Sequence, residues 1–345
     1  GIYLYDGPGN KLIAGPGGMW CVNIGYGRKE MADAISEQIM DMTYSSPWFT
    51  TNEPAALLAK VIAEKTPGDL NQVFFSNGGS DAVDTALRFV QYRNNVLGRP
   101  KKKKILCREK GYHGSSYLAA TVSGTGREHD RTFMDTHHDL AVMLPNINPY
   151  LRSKNVSKDE WCDQKIKEME ETILSVGADQ IGCFIAEPIL ASGGVIVPPA
   201  GYHARSLELC KKYDIVYISD ETVTGFGRLG HWFASKEVFN IQPDIITCAK
   251  GLTSGYLPMG AAIISDSLID GIKNTEGSQP FTNGYTYSCH PVAAKAALTN
   301  INIISNENIL GHVQEISPHF QTRLKAVGEK YDIIGDARGL GLLGC

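Results

Sequence analysis

Between Pro54 and Ile304, short runs of β-branched and aliphatic residues alternate with longer stretches whose apolar side chains recur on a 3.6-residue rhythm. This alternation leaves few folds open. A fully apolar strand needs cover on both faces, and the helices between strands supply it, so the pattern predicts an α/β domain built on a mainly parallel sheet. Strands are expected over 72–76, 104–107, 181–186, 215–219, 245–248 and 261–264. Helices are expected over 54–65, 81–95, 160–176, 202–212 and 291–304. In such sheets ligands collect beyond the carboxyl ends of the strands.

A chain of 345 residues at 43% hydrophobic exceeds the usual size of a single core. The division expected is an N-terminal segment (1–45) that contributes to a small domain, a large domain (46–300) and the start of a C-terminal small domain (301–345). Gly1 to Ile13 reads as a hairpin around Gly-Pro-Gly-Asn, with no leader before it, and Gly339 to Cys345 reads as a strand cut short. The chain is thus expected to be truncated at both ends. The last segment formally matches G-x-G-x-x-G, but no helix follows to meet a pyrophosphate.

Net charge of −4 and a pI near 6.2 give no basic footprint for nucleic acid or an anionic membrane. The run Lys101 to Lys104 is the one charge block, and it reads as a solvated loop. The eight cysteines form no C-x-x-C pair, which predicts reduced thiols in a cytoplasmic compartment rather than disulfides or zinc. No apolar stretch reaches the roughly 20 residues that span a bilayer.

Four local patterns carry chemistry. Phe75-Ser-Asn-Gly-Gly-Ser-Asp-Ala82 leaves a strand and opens a helix, so Gly79 and Ser80 offer backbone N–H groups and a hydroxyl to an anion. A plain N-cap at a tight turn accounts for the same residues. Gly111-Tyr-His-Gly-Ser115 puts Tyr112 where its ring could cover a flat ligand, with His113 and Ser115 at the rim. Asp220-Glu221 closes a strand; a carboxylate there suits a protonated ring nitrogen, an N-cap or, less well for want of matching ligands, a metal. Glu187, ending Phe184-Ile-Ala-Glu, is a second strand-end carboxylate. Lys250 stands alone behind Ile245-Ile-Thr-Cys248 and ahead of a Gly/Ser/Thr-rich turn, where desolvation would free its amine as a nucleophile.

Anion loop, stacking tyrosine, strand-end aspartate and isolated lysine, in that order, point to pyridoxal 5'-phosphate. With these motifs the chain resembles the class III, fold-type I pyridoxal-phosphate aminotransferases, in particular their ω-amino acid:pyruvate branch. The resemblance runs through Trp20-Cys-Val-Asn-Ile-Gly-Tyr-Gly-Arg28, Ser76 to Ala82, Tyr112-His-Gly114, Ala186-Glu-Pro188, Asp220 to Arg228, Ala249-Lys-Gly-Leu252 and Gly284-Tyr-Thr-Tyr-Ser288. It implies a large domain on a seven-stranded sheet, an incomplete small domain, and a homodimer with shared active sites.

By position, the resemblance makes Lys250 the Schiff-base lysine and proton carrier and Asp220 the partner of the pyridine nitrogen. Gly79 and Ser80 would hold the phosphate, Tyr112 would stack on the ring and Thr222 would lie against its other face. Tyr285 and Thr286 would reach the phosphate of the neighbouring subunit. Trp20, Trp48, Ser115 and Glu187 would belong to the substrate pocket. Oxoglutarate-using relatives carry arginine where this chain has Ser115, which favours pyruvate as acceptor and an amine or ω-amino acid as donor. Thr222 replaces a customary valine, and Cys289 a common glycine, which is expected to crowd its turn. The arginine that binds a substrate carboxylate in the family lies in a C-terminal segment outside these residues. Other reactions on the same scaffold remain open: an oxoglutarate-dependent transaminase, an aminomutase, a decarboxylase or a phospho-lyase. So does a non-catalytic cofactor-binding protein.

Overall fold

The structure, a computed structural model, describes residues 1–125, 134–273, 275–276 and 279–345. An N-terminal hairpin pairs β1 (Tyr3–Tyr5) with β2 (Lys11–Ile13). The central sheet comprises β3 (Leu70–Ser76), β4 (Lys104–Arg108), β5 (Ala141–Leu144), β6 (Ile181–Ala186), β7 (Val216–Asp220), β8 (Ile245–Cys248) and β9 (Gly260–Ser265). Their spatial order is β3-β9-β8-β7-β6-β4-β5, and only β9 runs against its neighbours. This is the mainly parallel α/β sheet of fold type I.

Successive strand residues serve opposite faces, as the pleat requires. On one face Ile105, Cys183, Ile218, Ile245 and Ile264 pack under Val83, Leu87 and Val90 of a helix spanning Gly79–Val96. On the other face Leu106, Phe184 and Tyr217 meet the helices Lys158–Val176 and Tyr202–Lys212. Farther along that face Ile246 and Ile263 meet the helices Glu53–Ala63 and Pro291–Asn306. Each fully buried aliphatic or aromatic side chain in these layers contributes about 1.5–3 kcal/mol. Helix starts follow local chemistry: Asn52 accepts from the Ala55 N–H ahead of Pro54, and Ser157 with Glu160 forms a capping box.

Several elements lie outside the sequence expectation, and three of them show why. The helix Lys29–Asp41 buries only Met31 and Gln38, so its apolar face is narrow. Strand β5 is a four-residue edge strand, mostly half-exposed. The helix Ile309–Lys330 contains Pro318 and buries only Val313, which conceals it from a periodicity test. The final segment is a hairpin, Gly339–Leu340 with Leu343–Gly344, turned by Gly341 at φ +59°. The formal glycine motif therefore serves a turn.

The lysine run is also corrected. Lys101 is exposed, but Lys102 is 6% exposed and its ammonium donates to the carbonyls of Ala178 (3.0 Å) and Tyr213 (3.2 Å). Lys103 donates to the Gln91 carbonyl and to Asn95 Oδ1, each at 2.6 Å. In a parallel α/β layer the helices run against the strands, so their C-termini gather at the amino edge of the sheet, where cations satisfy the last carbonyls. Lys102→Met is expected to lower stability by about 1 kcal/mol, since two partly buried carbonyls lose their donor. Urea unfolding checks this; an unchanged midpoint would remove the capping role.

Candidate active site

The carboxyl ends of β3, β4, β6, β7 and β8 converge on one edge of the sheet, and the segments that follow them enclose a cavity of about 120 Å³. Its walls include Gly79 and Ser80 after β3, Tyr112 and His113 after β4, Glu187 and Ser192 after β6, Asp220 and Thr222 at β7, and Lys250 after β8. A second space of about 630 Å³ shares Tyr112, Ser192 and Lys250 with the first. Met19, Trp20, Ser115, Ala120 and Met134 also line it, and Lys250 is the only cation among its described lining residues.

Asp220 is 3% exposed, and its carboxylate is held at both oxygens. Oδ1 accepts from the Thr222 hydroxyl (2.6 Å), the Thr247 hydroxyl (3.0 Å) and the Thr222 N–H (3.2 Å); Oδ2 lies 2.8 Å from His113 Nδ1. Burial alone would raise its pKa, but the bonds from His113 and Thr222 outweigh it and hold the carboxyl below its usual range. His113 is thus a buried partner of Asp220 rather than a rim residue. Thr247 is a site residue the sequence reading did not assign, and for the role of His113 Tyr112-His-Gly114 was the available signal. The neighbouring Glu221 faces the opposite way and accepts from the N–H groups of Ala234 and Ser235, each at 2.7 Å. It is a structural clasp, and among the described residues no group of His, Cys, Asp and Glu is arranged to hold a metal.

Lys250 follows β8 with φ +44°, a left-handed backbone that costs a non-glycine residue on the order of 1 kcal/mol. That turn aims the amine into the cavity, with Nζ 5.4 Å from the centre of the Trp20 ring. Burial lowers its pKa, against the opposing pull of Asp220 and Glu187. Glu187 is buried as well, and burial pushes its carboxyl up to about 7. Its oxygens accept from the N–H groups of Tyr112 (2.9 Å) and Ala191 (3.0 Å), so this carboxylate braces two cavity loops and borders the smaller cavity, not the larger space.

The anion end is built by close approach. The helix Gly79–Val96 has no side-chain cap at Gly78, so its first N–H groups are free of an intrahelical or capping acceptor. A Cβ on Gly79 would lie 3.1 Å from Thr222 Cγ2, and one on Gly114 would meet Ser80 Oγ at 2.5 Å. Ser80 Oγ accepts from the Ser115 N–H (3.1 Å), which leaves its own proton to donate. Ser115 Oγ in turn lies 3.0 Å from the Tyr112 hydroxyl, fixing the tyrosine wall to the helix start. A glycine cradle at a helix start, a buried carboxylate and a desolvated lysine fit pyridoxal phosphate.

The remaining expected residues lie elsewhere in this chain. Trp48 is 55% exposed and packs against Gly284, away from both cavities. Thr286 is exposed, and its carbonyl accepts from the Tyr44 hydroxyl (2.8 Å). The Tyr285 hydroxyl donates to the Asp81 carbonyl at 3.2 Å. Cys289 has φ +58°, the conformation glycine adopts freely.

Fold and cavity together define a pyridoxal-phosphate-dependent enzyme of fold type I. The profile of the family "Aminotransferase class-III" matches residues 1–345, and the chain belongs to that family. A putrescine–pyruvate aminotransferase of Pseudomonas aeruginosa is 39% identical over 99% of this chain and 74% of its own length. A mitochondrial γ-aminobutyrate transaminase 1 of Oryza sativa subsp. indica is also 39% identical, over 99% of this chain and 66% of its own. Among solved structures, a thermostable (S)-enantioselective ω-transaminase from Thermomicrobium roseum superposes with TM-score 0.94 at 34% identity, covering 99% of this chain and 75% of that one. The PMP-bound aminotransferase from Vibrio fluvialis gives TM-score 0.93 at 32% identity, with the same coverage. The protein is an aminotransferase, and its cofactor is pyridoxal phosphate.

Proposed function

We propose that this aminotransferase moves an amino group from an amine or ω-amino acid to pyruvate. The observation that carries the acceptor is Ser115 on the wall of the larger space, bonded to Tyr112, where an arginine would have met a second substrate carboxylate. The putrescine–pyruvate relative supports the same reading. γ-Aminobutyrate transaminases are also among the relatives, with the same 39% identity but matched over a smaller share of their own length, 66% against 74%.

Pyridoxal phosphate supplies an aldehyde that condenses with amines and a cationic ring that draws electrons from the carbon beside it. Gly79, Ser80 and the free helix N–H groups would hold its phosphate, Tyr112 and Thr222 its two faces, and Asp220 its ring nitrogen. Lys250 Nζ, kept neutral more readily by burial, would take the proton from the donor carbon and deliver it to the cofactor carbon that takes up the amino group. Donor and acceptor use one site in turn. Met19, Trp20, Ala120 and Met134 give that site an apolar wall for aliphatic chains.

Tyr285 and Thr286 stand outside the chain's own cavity, which supports their reaching the site of a second copy in a homodimer with shared active sites. Eight free cysteines suit a reducing, cytoplasmic location. The test of function is a donor panel of diamines, monoamines and ω-amino acids, assayed with pyruvate against oxoglutarate. Pyruvate is expected to be preferred by roughly tenfold or more, since a second buried carboxylate would lack a partner. Equal rates, or a preference for oxoglutarate, would overturn the assignment.

A further inference from the structure

The Thr222 side chain does two things at once. Its methyl carbon Cγ2 borders the glycine cradle, 3.1 Å from where a Cβ on Gly79 would lie, and its hydroxyl donates to Asp220 Oδ1 at 2.6 Å. Its backbone N–H bonds the same oxygen at 3.2 Å, and the Thr247 hydroxyl adds a third donor at 3.0 Å. Among the described residues Oδ1 therefore faces three donors, whereas Oδ2 faces His113 alone. A valine at this position would keep the shape of the wall and lose the hydroxyl.

We infer that the Thr222 hydroxyl is a positioning group for Asp220: it locks the carboxylate rotamer, saturates Oδ1 and leaves the remaining lone pair of Oδ2 to the ring nitrogen of the cofactor. The inference rests on Asp220 serving that nitrogen. The geometry divides the labour between the two oxygens. Each carboxylate oxygen has about two lone-pair sites: the three donors at Oδ1 share and fill its two, whereas the single partner at Oδ2 leaves that oxygen's second site open. In a buried site, hydroxyl and amide donors such as those of Thr222 and Thr247 stabilise a carboxylate without cancelling its charge, which remains for the ligand. Both faces of this arrangement come from a single side chain. The methyl carbon fills the wall beside Gly79 at the helix start, while the hydroxyl fixes the orientation of the acid. A serine would keep the second function only, and a valine the first only.

The test uses the near-isosteric Thr222→Val and the partial Thr222→Ser. Cofactor-free protein of each variant is titrated with pyridoxal phosphate and with its 1-deaza analogue, which carries C–H in place of the ring nitrogen. The readout is the ratio of the two affinities, which cancels contributions from the phosphate and the ring faces. T222V is expected to lower that ratio about three- to tenfold, the scale of one hydrogen bond, and T222S is expected to restore it. In turnover, T222V should lower kcat with little change in the donor KM. A T222V ratio equal to or above the parent's, or one that T222S fails to restore, would overturn the positioning role. Asp220→Asn in the same titration separates the two readings. If D220N keeps the parent's ratio, Asp220 does not serve the nitrogen at all. If D220N loses it while T222V keeps it, only the role of Thr222 fails.

Discussion

Replacing Lys250 by alanine is expected to reduce transamination by about 10⁴-fold, the upper end of what a positioned acid–base group contributes. The variant should also lose the visible absorption band of lysine-bound cofactor. Among the described residues Lys250 is the one amine in the cavity walls, aimed there by a left-handed turn directly after β8. No other described lining residue could take over as a nitrogen nucleophile, because His113 is buried and engaged with Asp220. The fold should survive. Burial disfavours the lysine's charged form, so its removal relieves a desolvation cost, and the cofactor-free variant is expected to unfold at the parent's temperature or above it. Turnover, absorbance and thermal unfolding measured together separate this from simple misfolding. Residual activity above a few per cent of the parent's, in a folded variant, would contradict the role.

Asp220→Asn is expected to lower kcat/KM by about 10²–10³-fold, the range found when one preorganised electrostatic partner is removed from a water-excluded site. The change nearly conserves shape but replaces one carboxylate oxygen by a donor. If the amide nitrogen takes the Oδ1 place, it opposes the Thr222 N–H and two hydroxyls. The amide should therefore turn its oxygen to them and its nitrogen toward His113, so the charge meant for the ring nitrogen is gone. Steady-state kinetics with one amine and one keto acid checks this. Pre-steady-state mixing with amine alone should show the slow half-reaction directly. A loss below tenfold would shift the electrostatic role to another group.

How much of this was legible beforehand depended on distance along the chain. Strand-end residues announce themselves locally: Asp220 and Lys250 each follow an unmistakable apolar run, and a parallel sheet brings such ends to one edge whatever the loops do. Their placement in one cavity follows from the strand register more than from any motif. Residues whose partners lie far away were read less well. His113 looked like a loop residue because its partner stands 107 positions downstream. Glu187 read as a ligand contact or an ion-pair member, and its two oxygens each accept a backbone N–H from a different loop, which the local sequence does not reveal. Lys102 looked solvated because nothing local reveals that the C-terminal regions of two helices end on it.

Thus the sequence by itself determined the layered α/β architecture, because periodicity and strand composition are local consequences of burial. It also determined the cofactor chemistry, because only a few residue types can carry it at strand ends. The tertiary structure alone decided which oxygens, hydroxyls and carbonyls are already occupied. Hydrogen-bond capacity is finite, and whether a buried polar atom is free for a ligand depends on neighbours that only folding brings within reach.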